Sequence, residues 1–154
     1  MTNQYEINCF VDYCYQGNVE KVLDYLDNGM YPGVISSNGL TPLKAAINGD
    51  NLEVVECLIT WRVDVNQEDW TALHELIDSA IDNMIQNDEN DVKPITLEIL
   101  KELIGNGADL NKKTRKGEKP LDLLRVYASN KEKFEQLKDC FRSVIHDIDE
   151  RTNN

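Results

Sequence analysis

A short segment that recurs along the chain constrains its fold more than any other feature of the sequence. The fullest copy is Thr41-Pro42-Leu43, followed by Ala46. Partial copies are Thr71-Ala72-Leu73 and Lys119-Pro120-Leu121. A repeated signature of this kind indicates a stack of similar helical units, each of which buries its apolar side against its neighbours. Stacks of this kind usually bind other proteins.

The patterns between these copies predict four units of two helices each. Thr41 suits the cap of a helix, Pro42 its first position and Gly49 the turn that follows. Apolar residues with helical spacing mark the other helices. The predicted helices cover residues 4–15, 19–28, 41–48, 52–60, 71–87, 95–105, 119–128 and 131–148. We expect one domain over residues 1–154, with units at about 1–35, 36–67, 68–112 and 113–150.

Further elements carry a family resemblance. They are Asn51–Leu58, which reads NLEVVECL, the pair Leu73-His74, and Gly107–Asn111, which reads GADLN. Together with the Thr-Pro-Leu segment, they make the chain resemble the ankyrin repeats over nearly its whole length. The resemblance implies an all-α ankyrin-repeat solenoid of about four helix-turn-helix units with short hairpin-like fingers. It also implies a concave face, formed by the first helix of each unit and the finger tips.

The spacing of the copies departs from the ankyrin period of about 33 residues. Thr41 and Thr71 are 30 residues apart, which predicts a shortened finger just before Thr71. Thr71 and Lys119 are 48 apart, which predicts an insertion near residues 83–94. The lengthened third unit, with Ile81–Gln86 followed by a polar loop, is similar to that of small bacterial ankyrin proteins. Several of those are encoded beside toxins and act as immunity proteins.

The composition argues against several other classes of function. The sequence has no G-x-S-x-G motif and no phosphate-binding glycine loop, so we expect no enzymatic activity. Its four cysteines have no C-x-x-C spacing and only two histidines are present, so we expect reduced thiols, no metal and no cofactor. The N-terminus lacks the pattern of a signal peptide, and no run approaches about 18 apolar residues. We therefore expect a cytoplasmic protein without a membrane partner.

The charge is unevenly distributed along the chain. The net charge is −12, and residues 68–111 alone hold 11 acidic and 2 basic side chains, whereas residues 112–154 carry a net charge of +3. The acidic region repels nucleic acid and attracts basic protein surfaces. Within it, Glu75, Asp78 and Asp82 have the i, i+3, i+7 spacing of one helix face. This face is either a contact for a cationic partner or an ordinary solvated surface.

The resemblance places further candidate residues on the concave face. Trp70 stands at a variable position, and tryptophan is enriched at interface hot spots; the alternative is that it packs over the shortened finger. The resemblance implies that His74 forms structural hydrogen bonds between units. The predicted partner-binding residues are Asp12, Tyr15, Asn38, Leu40, Asn48, Asp69, Trp70, Glu75, Asp78, Asp82 and Glu118.

Three functions fit these expectations. The first is an immunity protein that neutralises a cognate bacterial toxin, or another effector with a basic surface, by occluding it with the acidic concave face. The second is an adaptor that binds a host or signalling protein without inhibiting an activity. The third is a subunit that supports a larger assembly. In each case we expect the chain alone to be a monomer.

Overall fold

A computed structural model describes residues 2–153 of the protein, and all of the regular secondary structure in that range is helical. No strand occurs in that range, and the predicted all-α fold is confirmed. The helices are α1 (Gln4–Gln16), α2 (Val19–Asp27), α3 (Pro42–Asn48), α4 (Leu52–Thr60), α5 (Ala72–Asn87), α6 (Pro94–Gly105), a 3₁₀ helix (Pro120–Tyr127), α7 (Lys131–Phe141) and α8 (Ile148–Thr152).

The helices stack in two rows, as a repeat solenoid requires. The first helices α1, α3, α5 and the 3₁₀ helix contact one another in that order, and α2, α4 and α6 form a second row behind them. α7 and α8 both pack on the 3₁₀ helix. The largest fully buried side chains are Phe10, Leu26, Leu58, Leu73, Leu76, Ile77, Ile99, Leu100, Leu103, Leu124, Leu137 and Phe141.

The Thr-Pro-Leu segment forms the N-terminus of α3. The hydroxyl of Thr41 accepts a hydrogen bond from the backbone N–H of Lys44, and Pro42 occupies a position where no N–H is needed. In the fourth unit the equivalent of Thr41 is Lys119, whose side chain has no acceptor. The predicted helix there is present, but it is a 3₁₀ helix.

The first and third fingers, Ser36–Leu40 and Thr114–Glu118, are built alike. In each, the N–H of the first residue donates to the carbonyl of the last at 2.9 Å. The fourth residue of each is a glycine in the left-handed conformation. The second finger, Asn66–Trp70, forms no such bond, and Glu68 has the positive φ there. These differences agree with the predicted shortening.

The prediction of one helix over residues 131–148 is wrong. α7 ends at Phe141, and the chain turns before α8 begins at Ile148. Residues 142–147 include Ser, Val, Ile, His and Asp, which are weaker helix formers than Leu, Glu or Lys. The turn buries both Ile145 and Ile148 against the core, so tertiary packing replaces the continuous helix that the apolar spacing indicates.

The insertion in the third unit contacts the units on both sides of it. Val92 is buried, and Lys93 Nζ lies 2.9 Å from the Asp50 carboxylate in the second unit. The thiol of Cys140, in α7, lies 3.7 Å from the carbonyl oxygen of Asn90. The insertion therefore packs as part of the stack.

Gly49 lies where the end of α3 approaches the end of α1. A Cβ on Gly49 would overlap the backbone carbonyl of Tyr15. We expect Gly49→Ala to lower the free energy of unfolding by about 1–3 kcal/mol in urea denaturation, because two backbone segments must move apart. Gly105→Ala is the control, since no atom lies within 4 Å of its added Cβ. Equal stability of the two variants would contradict the close approach.

Asp149 in α8 binds two cations, Lys138 in α7 and Arg142 directly after α7. Its carboxylate lies 2.9 Å from Lys138 Nζ and also binds Arg142. Hydrogen bonds from Arg142 and then Lys138 lower the pKa of Asp149 to about 2, from about 4 in an unfolded chain. Because the folded value is the lower one, the ionised carboxylate stabilises the fold above about pH 4. This stabilisation is lost as the pH falls towards 2.

We therefore expect Asp149→Asn to be less stable than the wild type at pH 7. The difference should shrink as the pH falls from about 4 to about 2. Urea denaturation at several pH values measures it. Glu150→Gln is the control, because Glu150 is exposed and forms no ion pair with residues 2–153. A pH-independent difference for Asp149→Asn would contradict the assignment.

Candidate partner-binding surface

The predicted binding residues lie on the first helices and on the fingers that join them. Asp12 and Tyr15 are on α1 and Asn48 is on α3. Glu75, Asp78 and Asp82 are on α5, and the others belong to the three fingers: Asn38, Leu40, Asp69, Trp70 and Glu118. The resemblance assigns these elements to the concave face, and in the structure their side chains form a groove and a hydrogen-bonded row.

The groove lies between α1 and the first finger. It has a volume of about 450 Å³ and brings together Asp12, Tyr15, Asn38 and Leu40. Buried Val11 and Ala45 line it from below. Tyr15 is 54% exposed, and Asp12 forms no ion pair within residues 2–153. The groove therefore offers an apolar floor beside an open aromatic ring and a free carboxylate.

The hydrogen-bonded row connects α3, α5 and the second finger. The carboxylate of Glu75 accepts from Asn48 Nδ2 at 2.8 Å and from the indole N–H of Trp70 at 2.9 Å. The hydroxyl of Ser79 donates to Asn48 Oδ1 at 2.9 Å. These side chains, which come from two units, are therefore held in one arrangement before any partner binds.

The three acids of α5 are not equivalent, although their spacing predicts one shared face. Glu75 is half-buried, and both its oxygens are engaged in the row. Asp78 and Asp82 are exposed, and neither forms an ion pair with any residue in 2–153. Partial burial, and then the negative charges of Asp82 and Glu75, raise the pKa of Asp78. Of the three acids on α5, Asp78 and Asp82 are therefore the two that are exposed and form no ion pair within residues 2–153.

Trp70 packs against its own chain and also keeps part of its side chain exposed. Its ring lies 5.0 Å from the ring of His74, centre to centre, so it packs over the start of α5. It also remains partly exposed, with its N–H directed to Glu75. Trp70 is therefore a fixed aromatic surface between the acidic helix and the fingers.

His74 forms the structural bonds between units that the resemblance implies. Its Nε2 lies 2.9 Å from the carbonyl oxygen of Glu118, and its Nδ1 lies 2.8 Å from the Thr71 hydroxyl. A carbonyl only accepts, so Nε2 carries the proton and Nδ1 is the acceptor. His74 is fully buried. It therefore ties the third unit to the third finger.

Asp69 and Glu118 have different positions on this face. Asp69 accepts a hydrogen bond from the backbone N–H of Arg115 at 2.8 Å, which fixes the third finger against the second. The side chain of Glu118 is exposed. Asp69 therefore contributes to the geometry of the surface, and Glu118 to its charge.

The sequence reasoning missed the buried cation Lys44. Lys44 is 6% exposed, and its Nζ lies 2.8 Å from the carboxylate of Glu68 in the second finger. It stands three residues after Thr41, as His74 stands three after Thr71. That alignment is the signal that could have identified both residues as links to the next finger.

Other kinds of site have less support in the described part of the chain. Within residues 2–153, no group of three or more His, Cys, Asp or Glu side chains is placed to hold a metal ion. The four cysteines are free thiols, and burial raises the pKa of Cys140 to about 11. No helix in this range combines the length and the apolar character needed to cross a membrane.

The sequence was compared with models of known protein families and with curated proteins. The family model described as ankyrin repeats, with three copies, matches residues 10–87. The match covers half of the chain and extends from α1 to the end of α5. A search of curated proteins finds no match.

Proposed function

The chain belongs to the ankyrin-repeat family, and from that premise we propose that it neutralises a basic protein, a cognate bacterial toxin, by occluding it. Ankyrin repeats are non-enzymatic modules for protein–protein interaction. The finer proposal concerns the partner and the consequence of binding. It rests on the charges and hydrogen bonds of the predicted concave face.

One observation carries the proposal. Trp70, Glu75 and Asn48 form a preassembled row. Asp78 and Asp82 lie on the same helix as Glu75, and neither forms an ion pair within residues 2–153. An ordered aromatic surface loses little conformational entropy when a partner binds. Carboxylates that have no internal counter-ion gain most from a basic partner, which also associates faster because of the charge.

Neutralisation is favoured over simple tethering by the layout of this surface. The groove beside Tyr15 is lined by residues of the first and second units, and the row at Trp70 and the acids of α5 follow in the second and third units of the same stack. A partner that contacts all three would be covered over a continuous area, and stable interfaces need about 800 Å² on each side. The likeness of the lengthened third unit to bacterial immunity proteins supports a toxin as this partner.

The test begins with co-purification from the native host, using the wild type and Asp78→Lys/Asp82→Lys in parallel. We expect mass spectrometry to identify a basic protein that is retained by the wild type and reduced with the variant. Its toxicity should then be measured in cells that do or do not co-express the wild-type chain. Protection supports neutralisation, whereas binding without protection indicates an adaptor. A partner retained equally by both proteins would overturn the acidic-face proposal.

A further inference from the structure

A cluster of exposed cations lies on the third finger and at the residue directly before it. Lys113, Arg115 and Lys116 lie within four consecutive residues, and all three are exposed. None of them forms an ion pair within residues 2–153, although the chain has 28 acidic side chains. Neighbouring Lys112 differs, because its ammonium group binds the carbonyl of Asn66.

The finger holds these cations in a defined place. Thr114 is buried, and its N–H donates to the carbonyl of Glu118 at 2.9 Å. The backbone N–H of Arg115 donates to Asp69, and His74 donates to the Glu118 carbonyl. The backbone of the cationic finger is therefore bound directly to the segment that contains Trp70. Asp78 and Asp82 lie on α5, the helix that begins two residues after Trp70.

On the premise that a basic partner occupies the concave face, as proposed above, we propose that the third finger binds an acidic segment of the same partner. The partner then meets Asp78 and Asp82 with its basic surface and Lys113, Arg115 and Lys116 with acidic side chains. A partner turned around would place like charges together at both positions. The charge pattern therefore determines the orientation of binding as well as its strength.

The surroundings of the finger favour an acidic protein segment over nucleic acid. The finger contacts Asp69, and residues 68–111 carry a net charge of −9. An extended polyanion that followed the finger would meet this acidic region within about one Debye length, roughly 8 Å at physiological ionic strength. A short acidic protein segment can bind the three cations without extending over the acidic region.

Two fluorescent peptides separate this inference from the proposed function. Hexaglutamate should bind the third finger and hexalysine the acids of α5, both measured by fluorescence polarisation at low ionic strength. We expect Lys113→Glu/Arg115→Glu/Lys116→Glu to weaken hexaglutamate binding by about tenfold or more, without weakening hexalysine binding. Asp78→Lys/Asp82→Lys should do the reverse.

Two comparisons make the test decisive. Lys21→Glu/Arg62→Glu/Lys101→Glu changes the net charge equally at exposed positions on other elements, and it should retain hexaglutamate binding. If this control loses binding as strongly as the finger variant, or if the wild type binds a fluorescent oligothymidylate more tightly than hexaglutamate, the inference is overturned. If hexalysine does not bind while hexaglutamate does, the acidic-face proposal fails and the anion-binding finger remains.

Discussion

Replacing Leu73 by alanine is expected to lower the free energy of unfolding by about 2–5 kcal/mol. Leu73 is fully buried in α5, which packs against α3, α6 and the 3₁₀ helix. The alanine side chain would leave a cavity in the core at the start of α5. In a repeat stack each unit is stabilised by its neighbours. A cavity in the third unit therefore weakens its contacts with the second and fourth units together.

Urea denaturation followed by circular dichroism measures this loss. Leu23→Ala is the matched control, because the side chain of Leu23 on α2 is 37% exposed and loses less buried area when shortened. We expect the control to be clearly more stable than Leu73→Ala. A loss no greater for Leu73 than for Leu23 would contradict the role of the Thr-Ala-Leu segment in the core.

The fold could be predicted from the sequence because its determinants are local. Thr41 and Pro42 start α3 through contacts within four residues, and the apolar spacing of α5 is visible in the sequence over its full length. The end of α7 could not be predicted in this way. The apolar positions continue with helical spacing through Ile145 and Ile148, and the turn depends on contacts with the 3₁₀ helix.

The binding surface was only partly predictable, for the same physical reason. The spacing of Glu75, Asp78 and Asp82 places them on one side of α5. Which of them is engaged depends on Asn48, which lies 27 residues before Glu75 in the sequence. The pairing of Lys44 with Glu68 likewise depends on the path of the second finger. Contacts between units determine which charged side chains remain free to bind a partner. These contacts cannot be read from the periodicity of the sequence.

Reversing the charge of Asp78 and Asp82 is expected to weaken binding of the co-purified partner by about 10- to 100-fold at low salt, equivalent to roughly 1.4–2.7 kcal/mol. Each substitution removes the attraction between a carboxylate and the basic partner and adds the repulsion between a lysine and that partner. Both residues are exposed and unpaired within residues 2–153, so the melting temperature should change little. Glu75 is left unchanged, because Glu75→Lys would also break its bonds to Asn48 and Trp70.

Surface plasmon resonance at low and high salt measures the effect. The expected loss lies largely in the association rate, since exposed charges act by steering, and it should diminish as salt screens them. Glu53→Lys/Glu56→Lys on α4 is the control, with the same change in net charge at two exposed positions of the second row. If the control weakened binding equally, net charge alone would explain the attraction. An unchanged affinity of Asp78→Lys/Asp82→Lys at low salt would instead remove the acids of α5 from the interface.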